Sequence, residues 1–548
     1  MSLSRMPLST VEHYSIDLIA QDTNTIPETL EPGWTTIQQA TLKNDVSYLA
    51  SNRLQGRLSL SKGDDQATYW IADQFKKAGL KPAANNSYLQ AVPLIEFIPD
   101  KDKSTLSYSA NGKAIRWKAP DISIQFYKNI RVNGGIVFAG YGITAPELHY
   151  DDYQNIDVRG KIVLIFEHEP QETNPSSVFN GLANTPYATP YLKILNAQQH
   201  GAIAVLIAPE PNRSHPSNQD RYKTLIKYLN PMMPAQVLVD SNITIPSATI
   251  SDKIAKIIAG KSISLSALQA TIDKQFQPQS QNINGTKITL VNKNTSSRTA
   301  KTYNAVGLLE GSDPKLKQET IIISAHHDHD GKYNNKIWHG ADDNASGSVG
   351  VITVAQAMSV NANARNGLKP KRSILFVVFA AEERGLLGAF YMANHPLRSL
   401  ANTRAMINFD MIGRNETPSK QTDGLIEIPA DTTNRLNLIG AHYSPDYDRT
   451  VADQNHFVDL TLDHRFDNDS ALNIFFRSDQ FPFILKDIPA FWWFTGFHPD
   501  YHHVTDTADK INYAKMQKIL RLAYLSAFAF ANEEVPPAFI KNPIGDKK

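Results

Sequence analysis

Short, wholly apolar segments alternate with helical segments between residues 304 and 532 of this chain. The candidate strands are residues 320–323, 374–379, 405–409 and 491–494. The candidate helices are residues 346–359, 383–394 and 513–532. Continuous apolar strands are typical of parallel sheets that are covered by helices on both faces. The pattern therefore predicts an α/β fold with a mostly parallel central sheet and helices on both faces.

The part of the chain before residue 304 has a different pattern of apolar and polar residues. Residues 134–260 contain shorter apolar strands and helices, which predict a compact α/β unit. We find no convergent set of His, Asp and Glu in this unit that would indicate an active site. Residues 277–299 are polar and rich in Asn, Gln and Ser, so we interpret them as a linker or exposed hairpin.

Composition excludes several classes of function. Lys and Arg number 55 and Asp and Glu 54, a net charge of +1, so no basic field is available for nucleic acid. No apolar run approaches the roughly 18 residues of a membrane span. The chain has no cysteine, which excludes disulfides and thiolate metal sites. Any metal ion must be held by His, Asp and Glu.

His, Asp and Glu crowd at or near the ends of the candidate strands. The five clusters are SAHHDHD at 324–330, GADDNASG at 340–347, AAEERG at 380–385, NFDMIGR at 408–414 and HPDYHHVTDT at 498–507. Taken singly, each has an ordinary explanation, such as a helix cap or a solvated pair. Taken together they fall at the edge of an open α/β sheet where ligands bind, and they supply compatible metal ligands. The sequence therefore predicts a metal site.

The motifs AHHD, GADDNASG, FAAEERGLLG, NFDMIGR and YHHVTDT resemble those of di-zinc peptidases of the M28 family, of the bacterial aminopeptidase type with an inserted protease-associated (PA) domain. The resemblance implies a zinc exopeptidase fold with a smaller α/β insert. The expected domains are the N-terminal part of the peptidase domain (36–130), the PA-like insert (131–265), a linker or hairpin (266–299) and the catalytic zinc peptidase domain (300–535).

The resemblance also implies a role for each residue of the site. The expected metal ligands, with Asp343 bridging two ions, are His326, Asp343, Glu383, Asp410 and His502. Glu382 is the expected general base, and Asp328 is expected to orient His326. The alternatives one residue or so away are His327, His329, His503 and Asp342.

The implied activity is removal of N-terminal residues from peptides by a metal-bridging water, with two Zn²⁺ per chain. A carboxypeptidase of the glutamate-releasing type is an alternative. It would need several Arg or Lys donors to hold carboxylates, whereas only four scattered arginines lie near the motifs: Arg384, Arg414, Arg465 and Arg477. A receptor-like binding protein is a third, weaker alternative, because every ligand position is filled.

The expected partners are peptides with a free N-terminus, with no nucleic acid and no membrane span. Nothing in the sequence indicates an oligomeric state. Export to the periplasm or outside the cell is implied by the resemblance, although the sequence as given carries no signal peptide. Gln480 stands where the family often has His, and no Tyr lies near Phe475 to stabilise a tetrahedral intermediate. That stabilisation is therefore expected from the metals. The aromatic stretch at 492–497 is either core strand or pocket wall.

Overall fold

The computed structural model describes residues 25–110, 112–420, 422 and 424–541. Its helices are α1 (Glu31–Trp34), α2 (Gln39–Leu49), α3 (Lys62–Lys77), α4 (Pro190–Gln199), α5 (Asn218–Leu225), α6 (Asp252–Ala259), α7 (Leu265–Gln275), α8 (Gly347–Asn363), α9 (Leu387–Asn394), α10 (Pro445–Asn455), α11 (Phe481–Ile484) and α12 (Tyr513–Asn532).

The first half of the strands is β1 (Lys81–Pro82), β2 (Leu89–Pro99), β3 (Thr105–Ala110), β4 (Lys113–Trp117), β5 (Ile122–Ile124), β6 (Ile130–Phe138), β7 (Thr144–Ala145), β8 (Tyr150–Asp151), β9 (Ile162–Phe166), β10 (Ala204–Ala208) and β11 (Ala235–Leu238). The second half is β12 (Ser247–Ile250), β13 (Gln281–Asn292), β14 (Asn294–Leu309), β15 (Thr320–His326), β16 (Gly331–Tyr333), β17 (Lys336–Trp338), β18 (Ser373–Phe379), β19 (Thr403–Phe409), β20 (Arg435–Ile439), β21 (Thr461–Asp463) and β22 (Ala490–Phe494).

The larger sheet has the strand order β11-β2-β14-β18-β15-β19-β22-β20-β21, with β1 on β14. Its four central strands β18, β15, β19 and β22 are parallel to one another. The strands on both sides join them antiparallel, through β14 and β20. The predicted α/β architecture is confirmed. Parallel pairing is concentrated at the centre of the sheet, and that centre is the part that carries the predicted site.

Helices cover both faces of this sheet, as predicted. Alternate side chains of β15, such as Ile321 and Ile323, pack with α2, α3, α8 and α12 on one face. Ile322 packs on the other face with α9 and α11. The two-residue period of a strand sends neighbours to opposite faces, so a strand buried on both must be apolar throughout. Helix α12 coincides with the helix predicted over 513–532.

The smaller sheet has the order β4-β3-β13-β6-β9-β10-β12-β5, and it draws on residues from both sides of the predicted insert. Strands β3, β4 and β5 come from the range expected in the peptidase domain, and β13 lies in the range expected as a linker or hairpin. Conversely, β11 leaves the insert and pairs with β2 in the larger sheet. The domain boundaries themselves stay a prediction. No helix within the described ranges combines the length and apolar character that a membrane-crossing segment requires.

Candidate metal centre

The carboxyl edge of the four central strands brings the predicted residues together. His326 is the last residue of β15, Asp410 follows β19 directly, and Glu382 and Glu383 lie in a short turn after β18. Asp343 lies in the turn at 341–346 that leads into α8, and His502 lies in the loop after β22. Because parallel strands end at the same edge, segments far apart in sequence meet there.

The side chains form two adjacent groups that share one carboxylate. In the first group, His326 Nε2 lies 3.5 Å from Asp343 Oδ1 and 3.5 Å from Asp410 Oδ1. In the second group, His502 Nε2 lies 3.5 Å from Asp343 Oδ2 and 3.4 Å from Glu383 Oε2. The two oxygens of Asp343 therefore face different imidazoles, which is the arrangement that a bridging carboxylate requires.

Hydrogen bonds orient the two imidazoles. Nδ1–H of His502 donates to Asp330 Oδ2 at 2.7 Å, and Nδ1–H of His326 donates to the Asp328 carbonyl oxygen at 3.3 Å. Both rings thus present Nε2 to the centre, as metal-binding imidazoles do when the other nitrogen is engaged. The Asp328 carboxylate accepts the backbone N–H groups of Glu382 (2.9 Å) and Glu383 (3.2 Å), so it holds the turn that carries both glutamates.

Polar side chains also hold Asp410 in place. Ser478 Oγ donates to Asp410 Oδ2 at 2.6 Å, and Trp492 Nε1 donates to the Asp410 carbonyl oxygen at 2.9 Å. Asn408 Nδ2 donates to Ser478 Oγ at 2.9 Å and to Gln480 Oε1 at 3.3 Å. Gln480 therefore supports this network rather than the centre directly.

Three of the four adjacent alternatives are engaged elsewhere. His327 lies beside Asp64 (Nδ1 to Oδ1, 3.2 Å), His503 Nδ1 donates to the Tyr501 carbonyl oxygen at 2.7 Å, and Asp342 accepts the Gly413 N–H at 2.7 Å. His329 is different, because it belongs to the second group. Its Nδ1 lies 2.8 Å from Glu383 Oε1, and its buried Nε2 has no hydrogen-bond partner among the described residues.

Burial and mutual repulsion dominate the electrostatics of the centre. Burial, followed by the negative charges of Glu383 and Asp410, raises the pKa of Asp343 well above its usual range. Burial also raises the pKa of Glu382, although the nearby His326 opposes the shift. Burial would lower the pKa of His326, but Glu382 and Asp410 raise it well above its usual range. Crowded carboxylates in a dry site favour a bound cation.

The donor set fits divalent metal ions. The residues that could hold an ion are His326, Glu382 and Asp410 in one group and His329, Asp343, Glu383 and His502 in the other. Ligand atoms bound at the 2.0–2.2 Å typical of tetrahedral zinc are separated from one another by about 3.4 Å. The imidazole-to-carboxylate distances of 3.4 and 3.5 Å agree with this spacing. Among the described residues, the four carboxylates have no ion pair with Lys or Arg.

A cleft of about 730 Å³ opens onto the centre. Glu382, Glu383 and His502 line this cleft, and residues 225–237 of the inserted segment form one of its walls. Asn230 Nδ2 donates to the Asp330 carbonyl oxygen at 2.9 Å, and Trp338 Nε1 donates to the Tyr228 carbonyl oxygen at 2.8 Å. The insert therefore contacts the centre through a residue that orients His502.

Two family models match the chain. The model described as peptidase family M28 matches residues 304–527, and the model described as PA domain matches residues 131–258. Residues 304–527 are a peptidase family M28 domain. The family predicted from the five motifs is confirmed, together with its PA domain.

Individual relatives are similar in sequence to shorter parts of this chain. "Leucine aminopeptidase 2" of Trichophyton equinum is 29% identical over 196 residues, which are 36% of this chain and 34% of the relative. "Probable zinc metalloprotease" of Pyrenophora teres f. teres is 35% identical over 117 residues, 19% of this chain and 24% of the relative. The chain thus spans about a third or less of the length of these curated relatives.

One solved structure shares the fold over most of its length. The aminopeptidase from Aneurinibacillus sp. strain AM-1 is 19% identical, with a TM-score of 0.51, and the match covers 91% of this chain and 95% of that chain. The likeness confirms the predicted fold.

Sequence analysis missed Asp330 and Tyr501 as residues of the site, and it named His329 only as an alternative ligand. Asp330 and His329 lie in the SAHHDHD cluster, but nothing in the sequence showed which of its polar side chains face the centre. Tyr501 was quoted only as a motif residue. It lines a small recess with Asp343, Glu382 and Arg477, and it accepts a hydrogen bond from Arg477 at 3.4 Å. This contact depends on the path of the loop at 498–507, which the sequence does not show.

Proposed function

We propose that this chain is a zinc-dependent aminopeptidase with two metal ions at the centre around Asp343. The single observation that carries the proposal is Asp343, whose two oxygens lie 3.5 Å from His326 Nε2 and 3.5 Å from His502 Nε2. In this assignment His326, Asp343 and Asp410 hold one ion, and Asp343, Glu383 and His502 hold the other. Zinc bound there would polarise the scissile carbonyl group and lower the pKa of water toward about 7.

Glu382 is the proposed general base. Its carboxylate lines the cleft, with Oε2 3.8 Å from His326 Nε2. Because its pKa is raised by burial, the carboxylate is a stronger base than an exposed glutamate. Glu382 would take a proton from the attacking water and return it to the leaving amine. Asp328 acts on this step indirectly, by holding the backbone of the Glu382–Glu383 turn.

Tyr501 is a proposed donor to the developing oxyanion. Its hydroxyl oxygen accepts from Arg477, so its own proton remains available to a substrate carbonyl in the recess. The hydroxyl would therefore supplement stabilisation by the metals, which was the source expected from the sequence. Met411, Trp492 and Phe497 line the same recess, whose volume of about 20 Å³ admits a water-sized group but not a leucyl side chain. We propose a preference for an apolar first residue from the leucine aminopeptidase of Trichophyton equinum named above.

The arginines favour an aminopeptidase over a glutamate-releasing carboxypeptidase. Arg384 pairs with Asp330, Arg414 with Asp500, and Arg465 with Glu416. Arg477 is the one of these four without a carboxylate ion pair among the described residues. One guanidinium is too few to hold both a terminal carboxylate and an acidic side chain, whereas the carboxylates of the cleft can accept a free α-amine.

Hydrolysis of three matched substrates tests the proposal. We expect turnover of an unblocked leucyl anilide, no turnover of its N-acetylated form, and none of an N-blocked dipeptide that ends in glutamate. A chelator should abolish turnover and added Zn²⁺ should restore it. Efficient release of glutamate from the blocked dipeptide would instead favour the carboxypeptidase. Zinc content near one equivalent in a fully active enzyme would contradict the two-ion centre.

A further inference from the structure

The PA domain contains a second group of metal-type side chains, far from Asp343 in the chain. Strands β9 and β10 are parallel neighbours, so their carboxyl ends lie at the same edge of the smaller sheet. His168 lies two residues after the end of β9, and Glu210 lies two residues after the end of β10. Glu172 and His215 follow on the two loops. Topology therefore joins residues that the sequence leaves more than 40 positions apart.

The side chains of this group are close together and largely buried. His168 Nδ1 lies 2.6 Å from Glu172 Oε1, and His215 Nε2 lies 2.9 Å from Glu172 Oε2. The two imidazole rings are stacked with their centroids 4.6 Å apart. The side chains of His168, Glu172 and His215 are 0%, 10% and 5% exposed. The three residues can each offer one ligand atom to a common ion.

Glu210 supplies an independent observation. Its side chain is 3% exposed, and Oε1 lies 3.8 Å from His168 Nδ1. Neither of its carboxylate oxygens has a hydrogen-bond partner in the described part of the chain, and neither does His168 Nε2. A buried carboxylate without partners is costly, and a bound cation would remove that cost. Glu210 is therefore a buried carboxylate at the edge of the group, beside His168, whose charge a bound cation would balance.

The hydrogen bonding of His215 leaves its Nε2 available to a proton or a metal ion. Its Nδ1–H donates to the Pro216 carbonyl oxygen at 2.9 Å. In the neutral ring Nε2 then carries a lone pair, and it faces a Glu172 oxygen 2.9 Å away. Two lone pairs at that distance repel one another unless a proton or a metal ion lies between them. A backbone carbonyl that fixes the second nitrogen is the usual support of a metal-binding imidazole.

We propose that His168, Glu172 and His215 bind one transition-metal ion of the zinc class, with the Glu210 carboxylate beside it, separate from the centre at Asp343. Two imidazoles and a carboxylate form an N/O donor set that suits zinc. The sequence analysis found no convergent acid and histidine set in this region, and the structure corrects that view.

The position of the ion indicates what it stabilises. His215 lies three residues before α5, and the chain runs from α5 directly into the wall of the cleft at 225–237. The ion would tie the start of this segment to the ends of β9 and β10. Farther along the same segment, Asn230 and Tyr228 are held by hydrogen bonds to Asp330 and Trp338. Metal bound in the PA domain would thus support one wall of the cleft.

Zinc content of the full-length protein tests the proposal. After dialysis, zinc per chain is measured by mass spectrometry for the wild type, His215→Gln, Glu210→Gln and the control His149→Gln. His149 is an exposed histidine of the same domain. We expect His215→Gln to lose one equivalent of zinc and His149→Gln to lose none. Glu210→Gln should release the same equivalent to a weaker chelator than the wild type does.

Crystals of the wild-type protein grown with Zn²⁺ provide a second test that does not depend on any variant folding. An anomalous difference peak within coordination distance of His168, Glu172 and His215 is expected. Peaks at the Asp343 centre alone, or equal zinc content in the wild type and His215→Gln, would overturn the proposal. Because both measurements report metal at the PA domain, neither depends on the proposed peptidase activity.

Discussion

Glu382 and Glu383 are neighbours in sequence, but their carboxylates have different surroundings. Glu383 lies 2.8 Å from His329 Nδ1 and 3.4 Å from His502 Nε2, inside the second group of ligands. Glu382 approaches an imidazole only to 3.8 Å and lines the cleft. We therefore expect Glu382→Gln to remove a proton acceptor while keeping the metal, and Glu383→Gln to remove a ligand.

The expected loss in kcat for Glu382→Gln follows from this geometry. General acid–base catalysis contributes roughly 10²–10⁴-fold, or about 2.7–5.4 kcal/mol of the barrier. Asp343, Glu383 and Asp410 are assigned to the metals, so no other carboxylate of the centre can replace Glu382 as the base, and we expect a loss in the upper part of that range. KM should change little, because the proton transfer takes place only in the transition state. Glutamine has nearly the same volume, so the packing of the turn should be kept.

Steady-state kinetics with a leucyl anilide and metal analysis of the same samples provide the measurement. Glu382→Gln should retain the wild-type zinc content with kcat reduced about 10³–10⁴-fold. Glu383→Gln is the matched control, because the change in charge and shape is the same. It should lose zinc and regain part of its activity at high Zn²⁺ concentration. If Glu382→Gln loses zinc and Glu383→Gln keeps it, the base and the ligand have been assigned the wrong way round.

Three further predictions follow from contacts around the centre. Asp330→Asn should weaken zinc binding roughly 10–100-fold, because it removes the charged partner of His502 Nδ1, and competition with a chromophoric chelator would measure it. Tyr501→Phe should lower kcat for leucyl anilide by about 10²-fold, and an unchanged kcat would leave oxyanion stabilisation to the metals alone. Burial lowers the pKa of Lys515 to about 8 from 10.5, so the folded state releases its proton first as pH rises. Between pH 8 and 10.5, the free energy of unfolding of the wild type should therefore rise by up to about 3 kcal/mol relative to that of Lys515→Met. Urea denaturation of both proteins over this pH range would measure the difference.

The sequence by itself determined the family, the positions of the central strands and helices along the chain, and which segments carry the chemistry. These features are local: apolar runs bounded by short motifs predict strands whose ends are polar, as at His326 and Asp410. Helix α12 was predicted to the residue because its apolar side chains recur at helical spacing. The parallel centre of the larger sheet was predictable for the same reason, since its strands contain long apolar runs.

Tertiary structure alone decided which side chains meet. Strand pairing places β3 and β13 in the smaller sheet and β11 in the larger one, and such pairing between distant segments leaves no periodicity in the sequence. His327, His329 and His503 look alike within their motifs, yet only the fold turns His329 toward the second group. The group of His168 and His215 forms because two parallel strands end at one edge. A side chain's neighbours depend on strand register and loop path, which contacts across the whole chain determine.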